Sequence, residues 1–132
     1  MQTNRFLTAL QRLPDMSVRD TRHILSARIW CISRRAVHDP LPRLESVLQS
    51  GMVAKRFGLL MEVVMAVWPD PFVLFPPCCA AVSVDEGLLA RAVELAVGNA
   101  RPQFDELLRE MLPEDARNTL FIRARQLYLV RY

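Results

Sequence analysis

Residues 53–68 read VAKRFGLLMEVVMAVW, and this stretch decides the fold of the chain. Apolar side chains recur in it every three or four residues, which is the period of an α-helix and places them on one face. The face consists of Val53, Phe57, Leu60, Met61, Val64 and Trp68. The charged side chains of Lys55, Arg56 and Glu62 lie off this face. The predicted helix ends before Pro69, because proline disfavours helical geometry in the preceding residue.

Two shorter helices are predicted on the N-terminal side of this stretch. The first covers residues 5–13 and stops at Pro14. The other begins at Asp39 or Leu41 and carries apolar residues at helical spacing. We expect it to end at Gly51 in the left-handed conformation that glycine adopts readily.

A long helix is predicted between these two. Ser17 is its N-cap, and Asp20 stands three residues later as the acidic half of a capping box. The helix runs to about Val37 and ends before Pro40. Its expected buried stripe consists of Leu25, Ile29, Ile32 and Ala36.

Three further helices are predicted after residue 82. Ser83 and Glu86 form a capping box for the first, which closes at Gly98. Pro102 fits the first turn of the second, and Pro113 begins the third. The stripe of the last helix consists of Leu120, Phe121, Ala124, Leu127 and Tyr128.

The fold class that follows is all-α. We expect one domain over residues 1–132, a bundle of six or seven helices with a proline-rich loop at about 69–82 that packs onto them. Only 4 glycines are present, too few for the tight hairpins of an all-β protein. An apolar content of 52% provides a core without disulfides or metal.

Charge is unevenly distributed along the chain. Residues 1–60 carry 10 basic and 4 acidic side chains, a net +6, whereas residues 61–115 carry 3 basic and 10 acidic, a net −7. Residues 116–132 add 4 arginines and no acid. Segments of opposite sign attract each other within one chain or across a dimer, and this pattern favours self-association over nucleic-acid binding.

The chain is expected to be cytoplasmic. The first residues lack the apolar stretch of a secretory signal, and the most apolar region, residues 58–75, is interrupted by Glu62 and three further polar or proline residues. Three cysteines in such a chain are expected to stay reduced. No membrane partner is predicted.

Cys78 and Cys79 are adjacent and follow Pro76-Pro77, which constrains the backbone that presents them. With Cys31 as a third thiol they make a possible thiol site, either redox-active or binding a soft metal, and His38 shares the helix face of Cys31. Structural zinc sites space their cysteines by two to four residues, and cysteine is often buried. We therefore predict that these thiols serve packing.

Residues 44–57 resemble a helix-turn-helix, with Lys55 and Arg56 opening the second helix as possible nucleic-acid contacts. The second helix continues into the apolar residues 61–68, which does not suit a helix lying in a DNA groove. Nucleic-acid binding is therefore an alternative and not the main prediction. The arginines of the long helix are expected on a solvated face; they are Arg19, Arg22, Arg28, Arg34 and Arg35.

No catalytic motif is found, and no catalytic, cofactor-binding or metal-binding residues are assigned. His23 and His38 are about four helical turns apart on one helix, so one small site does not use both. A glycine-rich phosphate loop, a nucleophile elbow and a paired-carboxylate motif are missing. The protein is predicted not to be an enzyme and to need no cofactor.

The Pro-Cys-Cys stretch at residues 77–79, followed by a helix bearing Asp85 and Glu86, resembles a family of small uncharacterised bacterial helical proteins, a domain of unknown function. The resemblance covers residues 76–97. The resemblance implies an all-helical fold and does not point to any particular activity.

The function that best fits these patterns is protein–protein contact by a non-enzymatic helical protein, as a homodimer. Large aromatic residues dominate interface energetics, and the expected anchors are Trp30, Trp68, Phe72, Phe75, Tyr128 and Tyr132. Two alternatives stay open: a thiol-based redox or soft-metal sensor at Cys78 and Cys79, and a nucleic-acid-binding regulator.

Overall fold

The structure is a computed structural model that describes residues 11–130. Six α-helices make up most of this part of the chain, and short 3-10 helices flank them at Leu13–Asp15 and Gln126–Tyr128. The α-helices are α1 Val18–Arg35, α2 Leu41–Leu48, α3 Gly51–Val67, α4 Val84–Val97, α5 Arg101–Leu108 and α6 Glu114–Arg125. The only β-pairing within residues 11–130 is an isolated bridge between Arg12 and Ala81. The prediction of an all-α bundle is confirmed.

Helix α3 packs through its apolar face against three other α-helices. It packs against α1, α2 and α6, and α4 packs against α1, α5 and α6. The predicted face of α3 is buried from Val53 to Trp68. None of the helices within residues 11–130 is long and apolar enough to cross a bilayer.

Three serines cap the long helices. Ser17, Ser50 and Ser83 each accept a hydrogen bond from the backbone N–H three residues later. At Ser83 the capping box is complete, since Glu86 accepts in return from the Ser83 N–H. At Ser17 the predicted capping box keeps only the serine half, and the Asp20 carboxylate instead interacts with Glu94 of α4.

The left-handed residue between α2 and α3 is Gln49, not Gly51 as predicted. Gln49 has φ 62°, whereas none of the glycines has a positive φ. The reason is that Ser50 is already the N-cap of α3, so the chain must reverse one residue before it. Gly51 is the first residue of α3.

The predicted stripe of α1 is wrong in its second half. Ile32 and Ala36 are exposed, and the buried face runs through Ile24, Ala27 and Arg28 instead. The solvated position predicted for Arg28 is therefore also wrong. Helix α1 turns this face toward α4 and the 69–82 loop, as the hydrogen bonds of Arg28 to residues in both demonstrate.

The helix predicted over residues 5–13 is not found where the structure describes it. Residues 5–10 lie outside the described part, and Gln11 and Arg12 are not helical. The backbone pairs with the proline-rich loop: the Leu13 N–H donates to the Ala80 carbonyl at 2.8 Å, and the Val82 N–H donates to the Gln11 carbonyl at 2.8 Å. Backbone pairing here replaces helical hydrogen bonds.

The loop at residues 69–82 packs onto the helices, as predicted. Phe72 and Leu74 contact the core, and Val82 is buried. The rings of Trp68 and Phe72 lie 4.9 Å apart. The Asp85 carboxylate stabilises this contact, because it accepts hydrogen bonds from the Trp68 indole N–H and from the backbone N–H of Val73, the residue after Phe72.

Candidate functional site

A polar cluster joins the N-terminal half of α1 to the C-terminal half of α4. Asp20 and His23 are three residues apart on α1 and therefore share a face, and Glu94 comes from α4. One ligand-capable atom from each of the three residues lies within 4.8 Å of those of the other two. No other group of three or more histidine, cysteine or acidic residues within residues 11–130 comes this close.

The His23 ring is held in place on both sides. Its Nε2 lies 2.6 Å from the Tyr128 hydroxyl, and the ring stacks on Phe57 with centroids 6.0 Å apart. Only 1% of the residue is exposed. The other ring nitrogen, Nδ1, is buried and has no hydrogen-bond partner. Tyr128 therefore fixes one nitrogen and leaves the other free to bind a ligand.

Unpaired buried polar atoms are concentrated in this cluster. Within residues 11–130 there are five buried side-chain nitrogen or oxygen atoms without a hydrogen-bond partner, and three of them are Asp20 Oδ1, His23 Nδ1 and Glu94 Oε1. Buried polar groups in native proteins are almost always paired with protein, water or an ion. These three atoms are therefore the ones that a ligand between α1 and α4 would reach.

The charges around the cluster determine its protonation. Burial, and then the nearby Arg19 guanidinium, lower the pKa of His23 to about 4, so its imidazole is neutral at pH 7. Burial and the Asp20 carboxylate raise the pKa of Glu94 above its ordinary value. Arg19 partly offsets this, with its Nε 3.9 Å from Glu94 Oε1 and its Cζ 4.7 Å from the centre of the Tyr128 ring.

A neutral imidazole nitrogen beside two carboxylates is a ligand set for a divalent transition metal. The pair Asp20 and His23, at helical spacing, was visible in the sequence, but no pattern linked it to Glu94. His23 and Glu94 lie far apart in the sequence and are brought together only by the packing of α1 on α4. Sequence reasoning therefore missed this cluster.

A second buried polar group is Arg28, whose guanidinium joins α1, α4 and the 69–82 loop. It pairs with the Glu86 carboxylate through Nε and Nη2, and it donates to the carbonyls of Pro76, Cys79 and Ala81. The donors of the guanidinium are all used in hydrogen bonds to this carboxylate and these carbonyls. The arrangement is a structural clamp with no ligand position left open.

The three thiols are free in the structure. Cys78 is exposed, and Cys31 and Cys79 are partly buried. Cys31 lines a cavity of about 180 Å³ with Arg28 and Phe75, but neither Cys78 nor Cys79 lines it. Cys31, His38, Cys78 and Cys79 are not gathered as a metal-ligand group in the described part of the chain.

The two residues of the nucleic-acid prediction have different surroundings. Lys55 is exposed, whereas Arg56 is partly buried. The Arg56 guanidinium donates to the carbonyls of Gln126 and Leu129, so it satisfies the end of the C-terminal 3-10 helix. An arginine that closes a helix end in this way has fewer donors left for phosphates.

The predicted aromatic anchors lie mostly in the interior. Trp30 and Trp68 are buried, and Phe72 and Phe75 are partly buried. Tyr128 is partly buried against His23, and Tyr132 lies outside the described residues.

An exposed apolar groove runs between α3 and α6, and we call it the α3–α6 groove. One end has a volume of about 430 Å³ and is lined by Arg56, Leu59, Arg123, Gln126, Leu129 and Val130. The other end has a volume of about 390 Å³ and is lined by Val63, Ala66, Val67, Pro113, Asp115, Ala116 and Thr119. The lining residues lie on successive turns of both helices, so the two cavities follow one another along the same helix pair. The first end carries two arginines and is basic, and the second carries one carboxylate, that of Asp115, and no basic residue.

Comparison with known proteins adds no relative to this picture: no family model, no curated protein and no solved structure matches the chain, and the resemblance to the Pro-Cys-Cys proteins stays a prediction.

Proposed function

We propose that this chain is a non-enzymatic cytoplasmic helical protein that acts through protein–protein contact, and that its partner is a second copy of itself docked on the α3–α6 groove. The observation that carries the proposal is the opposite charge of the two ends of one apolar groove. A surface of this kind is complementary to itself.

The groove has apolar side chains that the monomer leaves in water. Leu59 is 48% exposed, Leu129 is 45% exposed and Val130 is 63% exposed, all at the basic end. Along α3 the groove extends from Arg56 to Val67, which is about 17 Å at the helical rise. Covering these side chains removes apolar surface from water, at about 25 cal/mol for each Å².

The charges select the orientation of the partner. Arg56 and Arg123 stand at one end, and Asp115 stands at the other. A two-fold axis through the middle of the groove brings the basic end of each copy against the acidic end of the other. Such an isologous contact uses the same patch on both subunits, which is the commonest arrangement in soluble homodimers.

Part of the uneven charge of the sequence is neutralised inside the monomer. Arg19, Arg28 and Arg34 pair with Glu94, Glu86 and Glu62. The ends of the groove are not among these pairs: neither Arg123 nor Asp115 forms a salt bridge within the described residues. The charges at both ends of the groove are therefore among those that remain available to a partner.

The two other functions that the sequence left open have less support. The Nη1 group of Arg56 is engaged with backbone carbonyls, which weakens the nucleic-acid alternative. The thiols do not converge on one site, which weakens the sensor alternative.

The test is sedimentation velocity at tens of micromolar, a range suited to modest affinities. We expect a dimer that weakens in about 1 M salt, where the Debye length is about 3 Å. Leu59→Asp should give a monomer, and Ile32→Asp, an exposed position on α1 outside the groove, should leave the dimer intact. A wild-type protein that stays monomeric overturns the proposal.

A charge exchange tests the orientation. Arg123→Glu places two acidic ends together and Asp115→Lys places two basic ends together, so each should weaken the dimer. The double variant restores opposite charges and should restore the dimer. Circular dichroism of all three controls for loss of helix. A double variant as weak as the single variants contradicts the two-fold arrangement.

A further inference from the structure

We propose that Asp20, His23 and Glu94 form a binding site for a single divalent transition-metal ion of the zinc class, held between α1 and α4. The inference is independent of the α3–α6 groove, since none of the three residues lines that groove.

The first support is the set of three unpaired atoms. Asp20 Oδ1, His23 Nδ1 and Glu94 Oε1 are buried and have no hydrogen-bond partner, although the Arg19 Nε lies 3.9 Å from Glu94 Oε1. His23 Nδ1 is an acceptor in the tautomer whose Nε2–H donates to the Tyr128 hydroxyl. A bound cation satisfies three such acceptors at once. One ligand atom from each residue lies within 4.8 Å of the others, whereas ligands about 2.1 Å from a tetrahedral zinc lie about 3.4 Å apart. The site therefore closes by small side-chain rotations.

The second support is the arrangement of the histidine. A metal-binding histidine usually engages its other ring nitrogen with a neighbouring polar group, which fixes the ring and its tautomer. His23 has this arrangement, since Nε2 is bound to the Tyr128 hydroxyl at 2.6 Å and Nδ1 is left for the ion. The stacking of the ring on Phe57 limits its rotation further. Tyr128 is thus a positioning residue.

The donor types select the class of ion. Calcium takes six to eight oxygen ligands and magnesium keeps an octahedron of oxygens, so neither suits a site built around an imidazole. One imidazole and two carboxylates suit zinc, and also cobalt, nickel or manganese. Three protein ligands leave the remaining coordination positions to water. Glu94 and Asp20 are only partly buried, which gives the ion a path from solvent.

The charges that face the site decide how tightly it binds. Asp20 and Glu94 bring two negative charges together, and a divalent ion relieves their repulsion. Arg19 opposes the ion, with its Nε 3.9 Å from Glu94 Oε1, and Arg22 and Arg91 add weaker positive fields. The Arg19 side chain is 47% exposed, so it can move into solvent when the ion enters.

The experiment uses the full chain, freed of metal by a chelator and titrated with Co²⁺ and then Zn²⁺. We expect one Co²⁺ per chain, with a visible d–d spectrum, displacement by Zn²⁺ and a higher Tm for the loaded protein. Glu94→Gln and Asp20→Asn should each weaken binding by more than about 100-fold, because even the loss of a group that only supports a ligand costs about 10- to 100-fold. Glu45→Gln, at an exposed carboxylate outside the site, should bind as the wild type does.

Two further variants test the residues that surround the three ligands. Tyr128→Phe should weaken binding by about 10- to 100-fold, the usual effect of losing the hydrogen-bond partner of a metal-binding histidine. Arg19→Gln should tighten binding, because it removes the repelling cation, and a general loss of structure cannot produce that change.

Three outcomes overturn the proposal. One is the failure of the metal-free wild-type protein to bind Co²⁺ or Zn²⁺. Another is unchanged affinity in both Glu94→Gln and Asp20→Asn. The last is a cobalt spectrum with thiolate charge-transfer bands that vanishes in Cys78→Ser/Cys79→Ser, which assigns the metal to the vicinal cysteines.

Discussion

Arg28 and Glu86 form an ion pair from which solvent is fully excluded. The Arg28 Nε lies 2.7 Å from Glu86 Oε2 and its Nη2 lies 2.9 Å from Oε1, and both side chains are 0% exposed. The two residues are 58 positions apart in sequence. The pair also binds the backbone of the proline-rich loop and the N–H of Ser83, the N-cap of α4, so one contact holds α1, α4 and the loop together.

Breaking this pair should destabilise the protein strongly. Glu86→Gln leaves the Arg28 guanidinium buried without a counter-charge, which typically costs about 3–5 kcal/mol in the free energy of unfolding. Urea denaturation followed by circular dichroism measures the change. The exposed pair of Arg34 and Glu62 is the matched control, and Glu62→Gln should change stability by less than about 1 kcal/mol. Equal effects of the two substitutions would contradict the role of burial.

Ser83→Ala should lower stability by about 1–2 kcal/mol, at the upper end of the range for N-cap residues. The Ser83 hydroxyl accepts from the Glu86 N–H and also donates to the Val73 carbonyl, so its removal frees a helix end and the loop together. Ser17→Ala is the control, because its hydroxyl makes only the capping bond in an exposed position. The same denaturation measurement compares the two. A larger effect at Ser17 would count against the double role.

Local patterns predicted much of this fold. The face of α3 and the capping box at Ser83 each depend on residues within a few turns, so spacing alone reveals them. The clamp at Arg28 was not predicted, because a sequence pattern does not show which distant carboxylate an arginine meets. The prediction that Ile32 is buried and Arg28 exposed was wrong, because apolar periodicity assigns the buried face to the apolar residue. It does not show that a distant carboxylate allows an arginine to be buried.

Val37→Gly should stabilise the protein by about 1 kcal/mol. Val37 has φ 57°, a left-handed conformation that costs a non-glycine residue about 1–2 kcal/mol, and its side chain is 92% exposed, so little packing is lost. Thermal unfolding measures the gain. Ile122→Gly, at an exposed position inside α6, should lower stability because glycine is unfavourable in a helix interior. A loss of stability in Val37→Gly would show that the positive φ of Val37 does not strain the folded protein.

Acidification should destabilise the metal-free protein between pH 6.5 and about 4, because His23 has its pKa lowered from 6.5 to about 4. As the pH falls, the imidazole of His23 is protonated in the unfolded chain before it is protonated in the folded protein. Acid therefore lowers the free energy of unfolding, by up to about 3 kcal/mol across this pH range. Glu94 acts in the opposite direction. Its pKa is raised in the folded state above the ordinary 4.5, so above pH 4.5 the folded protein binds this proton more readily than the unfolded chain, and acid stabilises the fold through Glu94. Urea denaturation at several pH values should therefore show a steeper loss of stability in Glu94→Gln and a shallower one in His23→Gln. If neither substitution alters the dependence of stability on pH, then neither His23 nor Glu94 contributes to acid unfolding.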